Sequence, residues 1–110
     1  MENCKTLNEI DKELGVTRRA IQGYEQAGLV MRCGSNKYGH LLYDEKAQER
    51  IVRIKFYQEL GFSINEITEL IDAPAPQLRS ALEARVACLK KEKTNIDFLI
   101  EKAQELILGL

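Results

Sequence analysis

Apolar residues recur along this chain at helical spacing, and the rhythm changes where glycine, proline and capping residues fall. Leu7, Ile10 and Leu14 keep that spacing and form one stripe. Thr6 and Glu9 bracket its start as a capping box, in which the Thr6 hydroxyl accepts from the Glu9 N–H and the Glu9 carboxylate reaches back. Gly15 ends this helix, since a left-handed C-terminal turn carries no Cβ penalty at glycine. Thr17 then caps a second helix with Ala20, Ile21 and Tyr24 on its buried or half-buried side, until Gly28 closes it. Two helices joined by a turn of about three to four residues containing glycine make the helix-turn-helix pattern.

Beyond Gly28 the pattern shortens. Leu29 to Cys33 reads as an extended run, Gly34 to Lys37 is rich in turn residues, and His40 to Tyr43 reads as a returning strand. A small hairpin directly after a two-helix reader is a wing, with Lys37, Tyr38 and His40 at its tip. Asp44 caps a third helix to about Leu60, with Ile51, Ile54 and Leu60 apolar and Arg50 and Arg53 outward; Gly61 ends it. Ser63 and Glu66 form a second capping box, opening a short helix with Ile64, Ile67, Leu70 and Ile71 inward. Ala73-Pro74-Ala75-Pro76 breaks the pattern, because proline disfavours helix at the residue before it. The spacing therefore predicts two parts, residues 1–73 and residues 77–110.

From Gln77 to about Leu108 there is neither proline nor glycine. Leu82, Val86, Leu89, Ile96, Ile100, Ala103, Ile107 and Leu110 fall at alternating spacings of three and four, with Lys93 as the interruption. A helix of some 30 residues is about 45–48 Å long, more than the small domain before it can cover. Its stripe needs a partner, and the most economical partner is a second copy. The expected fold is mainly α: a winged helix-turn-helix DNA-binding domain followed by a long C-terminal dimerisation helix in a coiled coil. Antiparallel packing would bring Lys93 near its symmetry mate, facing Glu92 or Asp97 of the other copy.

Charge refines this picture. A net charge of −1 is unpromising for a nucleic-acid binder, but residues 16–55 carry eight basic and four acidic side chains, whereas residues 63–110 carry six and eight. A basic front on an acidic back suits a DNA-binding module. Thr17, Arg18, Arg19, Gln22 and Tyr24 on the second helix, with Lys37, Tyr38 and His40 on the wing, are the candidate DNA contacts. Arginines in the first turn of a reading helix are placed for base and phosphate, and Tyr24 divides between packing and a hydroxyl-to-phosphate bond. The candidate dimer interface is Leu82, Val86, Leu89, Lys93, Ile96, Ile100, Ala103 and Ile107.

Gly15-Val16-Thr17-Arg18-Arg19, Ile21, Tyr24-Glu25, Gly28-Leu29, Tyr43-Asp44, Arg53-Ile54-Lys55-Phe56 and the run from Glu59 to Ile67 stand in a set order and spacing. Together they resemble the MerR family of bacterial transcription regulators. The resemblance covers most of residues 6–72. It implies a homodimer held by an antiparallel coiled coil, with both reading helices in successive major grooves of a pseudo-palindromic promoter operator. It also implies control of transcription by distorting that DNA, with RNA polymerase met indirectly through the promoter. Two departures stand out. Gln22 and Gly23 replace the family's usual arginine and aromatic residue, and Gly39-His40-Leu41 lacks the usual wing arginine. Gln22 remains able to read adenine through its amide.

Other chemistries find little support. Cys4, Cys33 and Cys88 are odd in number and widely spaced, which argues against a disulfide framework and a structural zinc site. Metal-responsive members of the family use thiolates around the dimer helix, yet the chain ends at Leu110 without the cysteine-bearing segment they use, so Cys88 reads as an inert thiol and no metal or cofactor is expected. Ligand-sensing members carry an effector domain after the coiled coil, and this sequence shows none, so it reads either as a protein that ends here or as the DNA-binding part of a longer one. One histidine, no nucleophile–base pair and no phosphate-cradling glycine loop argue against an enzyme. No apolar run approaches the roughly 20 residues of a membrane span, and the N-terminus lacks a secretory pattern, pointing to the cytoplasm. Two alternatives stay open: a winged-helix module that grips a protein, and an architectural DNA-binding protein that does not address a promoter.

Overall fold

The computed structural model describes residues 3–110, and its chain divides into two compact units, residues 1–72 and 73–110. The first unit opens with a two-residue strand, β1 (Lys5–Thr6), running into α1 (Leu7–Leu14). Thr6 accepts from the Glu9 N–H while the Glu9 carboxylate accepts from the Thr6 N–H, so the capping box is complete. Gly15 stops the helix at φ 71°, a left-handed conformation that β-carbon-bearing residues resist. Thr17 caps α2 (Arg18–Gln26), Asp44 caps α3 (Glu45–Leu60) and Ser63 caps α4 (Ile64–Leu70) with a second full capping box. Each cap supplies an acceptor to an N–H that the helix cannot itself satisfy.

Between α2 and α3 lie β2 (Gly34–Ser35) and β3 (Leu41–Tyr43). The sheet order is β1-β3-β2, antiparallel throughout, with Thr6 and Gly34 both registered on Leu42 from opposite sides. The wing strand thus starts later than the apolar run 29–33 suggests. Leu29 and Val30 are drawn into the core, Met31 to Cys33 are exposed, and pairing passes to residues expected to turn. Asn36 makes that possible: its side-chain carbonyl accepts from the N–H groups of Tyr38 and His40, closing the turn at its own position. β1 was not expected either, being too short to show any alternation.

Ile10, Ile21, Tyr24, Tyr43, Ile51, Ile54 and Ile67 form the fully buried centre of this unit. Two polar residues tie it together. Gln48, itself buried, donates to the carbonyls of Asn3 (2.6 Å) and Tyr43 (2.8 Å), so both amide hydrogens are used. Arg50 donates from its fork to Asp72, 2.9 Å on each arm, and from Nε to the Leu29 carbonyl. The outward, solvated reading of Arg50 is therefore corrected: its guanidinium clamps α3 to the segments after α2 and α4.

The second unit is one helix, α5 (Ala75–Leu108), 34 residues long. It begins two residues before the expected Gln77. Pro74 is its N-cap and Pro76 sits in the first turn, where a missing N–H costs nothing because no earlier carbonyl awaits it. None of its side chains is buried.

Candidate nucleic-acid interface

The α2 N-terminus is built by the residues that cap it. The Thr17 hydroxyl accepts from the Ala20 N–H at 3.1 Å, which leaves its own O–H as a donor and sets the first turn. Arg18, Arg19 and Gln22 then project from the exposed side of α2, while Ile21 and Tyr24 anchor the opposite side. Arg18 is held: its Nη2 donates to the Asn8 side chain at 2.9 Å. Arg19 has no such partner among the described residues. Helix N-termini attract anions through unpaired N–H groups and the helix dipole, and here two guanidinium groups reinforce that field.

A shallow cleft of about 210 Å³ separates this helix from the wing, with Asn8, Arg18 and Gln22 on one wall and Gly39, His40 and Leu41 on the other. At the hairpin tip Lys37, Tyr38 and His40 are all exposed. The Lys37 ammonium lies 5.1 Å from the Tyr38 ring centroid, and the Tyr38 and His40 rings stand 6.3 Å apart. A cation and two amphipathic rings on a tight turn form a surface suited to a phosphate backbone.

Tyr24 belongs elsewhere. It is 1% exposed and its hydroxyl donates to the Gln58 side-chain carbonyl at 2.6 Å. Burial raises its ionisation above the phenol's ordinary range. Tyr24 packs inside the unit, with its hydroxyl engaged by Gln58. Its neighbour Glu25 accepts from the Tyr43 hydroxyl and pairs with Arg32 at 3.2 Å. The tyrosine–glutamate bond fixes the base of the wing strand to α2. Burial and that bond together hold Tyr43 protonated far above the ordinary range.

Of the candidate interface positions on α5, Leu82 and Leu89 are half-buried, and Val86, Lys93, Ile96, Ile100, Ala103 and Ile107 are exposed. Ile100 keeps 51% of its surface and Ile107 65%, so the apolar stripe of α5 stands open along this helix. Asn8 and Asn36 are the residues that spacing arguments missed. Asn36 carried a signal, since Asn ahead of glycine in a short loop favours a side-chain-closed turn. Asn8 carried none, because its partner lies across the helix-turn-helix. Among the described residues no group of three metal-ligating side chains converges, and no helix is long and apolar enough to cross a membrane.

Comparisons with known proteins bear on this surface. The family model for the MerR HTH family regulatory protein matches residues 5–74, and the model for MerR, DNA binding, matches residues 48–110. The chain is 29% identical over 96 residues to the HTH-type transcriptional activator mta of Bacillus subtilis, covering 87% of this chain and 37% of that protein. It is 32% identical over 94 residues to the HTH-type transcriptional activator TipA of Streptomyces coelicolor, covering 79% and 37%. The chain thus spans little more than a third of the length of these relatives. Among solved structures, the N-terminus of the Bacillus subtilis multidrug transporter activator superposes with a TM-score of 0.68 at 27% identity, over 94% of this chain and 98% of that one. HiNmlR, a MerR family regulator lacking the sensor domain and solved bound to promoter DNA, shares the fold, with a TM-score of 0.72 at 15% identity over 94% and 87%.

Proposed function

The chain belongs to the MerR HTH regulatory protein family, and from that premise we propose that it is a dimeric, sequence-specific regulator of transcription acting at a pseudo-palindromic promoter operator. The observation that carries this reading is one cleft lined by Arg18 and Gln22 of α2 and His40 of the wing, with Arg19, Lys37 and Tyr38 exposed on the same two elements. In the reading proposed, α2 enters the major groove and the wing rests on the flanking backbone. Arg18 and Arg19 supply charge to phosphate or guanine, and Gln22 offers both an amide donor and an acceptor to adenine. The absence of cations at Gln22 and Leu41 shifts more of the electrostatic attraction onto Arg18, Arg19 and Lys37.

Two readers set at a fixed separation require two chains, and the exposed stripe of α5 supplies the means. Leu82, Val86, Leu89, Ile96, Ile100, Ala103 and Ile107 of one protomer pack on those of its partner, antiparallel, with Lys93 near the centre. The two domains of this proposal are the reader, residues 1–73, and the dimerisation helix, residues 77–110. RNA polymerase is met through the promoter DNA.

Selection of bound duplexes from a random pool, at near-physiological salt, tests the proposal. An enriched inverted repeat supports it. Salt-sensitive binding with no enriched sequence instead identifies an architectural protein, and no binding by a folded protein identifies a protein-interaction module.

A further inference from the structure

Cys4 and Cys33 lie 29 residues apart in sequence, yet their sulfur atoms are 3.6 Å apart. The fold brings them together through the central strand: Thr6 and Gly34 register on Leu42 from either side, Cys4 lies two residues before the first and Cys33 one residue before the second. Separation along the chain does not show this proximity, which arises across the sheet; all three cysteines are free thiols. Cys33 is exposed, while Cys4 is half-buried. The Cys33 thiol also donates to the Leu42 carbonyl at 3.5 Å.

We propose that Cys4 and Cys33 are a peroxide-reactive dithiol that closes to a disulfide between the N-terminal segment and the base of the wing. A sulfur–sulfur bond of about 2.05 Å requires the two atoms to close by about 1.5 Å from van der Waals contact. The Cys33 N–H is bonded to the Leu42 carbonyl at 2.9 Å, whereas Cys4 lies outside β1, so the movement falls to the two side chains and the backbone at Cys4. No third ligating side chain joins the pair among the described residues, which argues for redox chemistry over a closed metal site.

The steps follow from exposure. The Cys33 thiolate attacks one oxygen of a peroxide, the O–O bond breaks, and the leaving oxygen departs as water once protonated, giving a sulfenic acid. The Cys4 sulfur then attacks the Cys33 sulfur and the S–O bond breaks. The hydroxide released takes the Cys4 proton and becomes the second water. Two thiols lose two electrons and the peroxide gains them. The adjacent Cys33 thiol, and burial, hold the Cys4 proton more tightly than usual, which suits the second attacker over the first. Any consequence for DNA, through tying the α1 cap to the wing, rests on the proposed function; the chemistry of the pair does not.

The test uses the full chain as Cys88→Ser, so that the exposed thiol on α5 cannot cross-link copies. After hydrogen peroxide and alkylation, mass spectrometry should show loss of two hydrogens, no alkyl adduct and a linked Cys4–Cys33 peptide, all reversed by dithiothreitol. Adding Cys4→Ser should leave a sulfenic acid on Cys33 that dimedone traps. Alkyl adducts on both cysteines after peroxide, or sulfinic acid on each without linkage, would overturn the proposal. Dimedone labelling of Cys4 in Cys33→Ser, with none of Cys33 in Cys4→Ser, would overturn the assigned order of attack.

Discussion

The Arg50 guanidinium receives the Asp72 carboxylate as a fork, with Nη1 and Nη2 each 2.9 Å from a different oxygen. The two residues stand 22 positions apart, and the same arginine reaches the Leu29 carbonyl through Nε. One side chain therefore joins the ends of α2 and α4 to the flank of α3. Bidentate pairing is the strong form of this interaction, because both hydrogen bonds and the charge attraction share one geometry.

That relationship sets a pH dependence. The hydrogen bonds from Arg50, aided by the charges of Arg50 and Arg53, hold the Asp72 carboxyl below the ordinary carboxylate range. A folded-state value lowered below the unfolded one adds stability that is present above the unfolded value and is lost as pH falls through the folded one. Asp72→Asn should therefore be less stable than the natural chain at neutral pH, with the gap closing on acidification. Denaturant titrations at several pH values check this. A gap of constant size down to strongly acid pH would show that the pair contributes nothing through charge.

Gly23 lies inside α2 at ordinary helical dihedrals, and a Cβ built there meets nothing within 4 Å. Gly23→Ala should raise stability by about 0.5–1 kcal/mol, since alanine loses less backbone freedom on folding and no neighbour must move. Thermal unfolding reads this directly. If the same variant binds DNA less well, the bare backbone is serving close approach by the duplex.

Arg19→Ala should weaken DNA binding across sequences and reduce the salt slope by about one if it contacts a phosphate. A loss confined to one base position would make it a base reader instead. Asn8→Ala should act through Arg18, whose guanidinium it holds at 2.9 Å. The effect expected is a smaller loss of affinity with the salt slope kept, because the charge remains. Unchanged affinity in Asn8→Ala would show that Arg18 needs no such positioning.

Lys93 interrupts the apolar stripe of α5. In an antiparallel pair Lys93→Leu should strengthen the dimer, because a like-charged pair near the centre is replaced by packing. Ile100→Glu should weaken it by several-fold or more. Sedimentation across a dilution series measures both. A Lys93→Leu dimer no tighter than the natural one would place the register elsewhere.

Much of the first unit is legible in the residues because its signals are local. Thr6 with Glu9, Ser63 with Glu66, Asp44, Gly15 and Gly61 act within about one helical turn, and each sits at the boundary it marks. The wing is harder. Leu29 and Val30 carry strand-like character but are taken by the core, while Gly34 and Ser35 pair despite looking like turn residues. Burial outweighs propensity there, since two buried aliphatic side chains are worth more than the intrinsic preference of an exposed run.

The candidate site divides along the same line. Arg18, Arg19, Gln22, Lys37, Tyr38 and His40 are readable as surface positions, because helical phase and turn chemistry decide which side chains leave the core. Tyr24 is not readable to that depth: its phase shows a lining residue, but only Gln58, 34 positions away, decides where the hydroxyl goes.

The residues alone determine the helices, their caps, the unpartnered stripe of α5 and the likeness to a family of regulators. Every one of these depends on neighbours a few positions apart along the chain. Tertiary structure alone decides the Arg50–Asp72 clamp, the Asn8–Arg18 contact and the meeting of Cys4 with Cys33. Each joins positions that no periodicity relates, and short-range hydrogen bonds and sulfur contacts exist only once packing has brought the segments within a few ångströms.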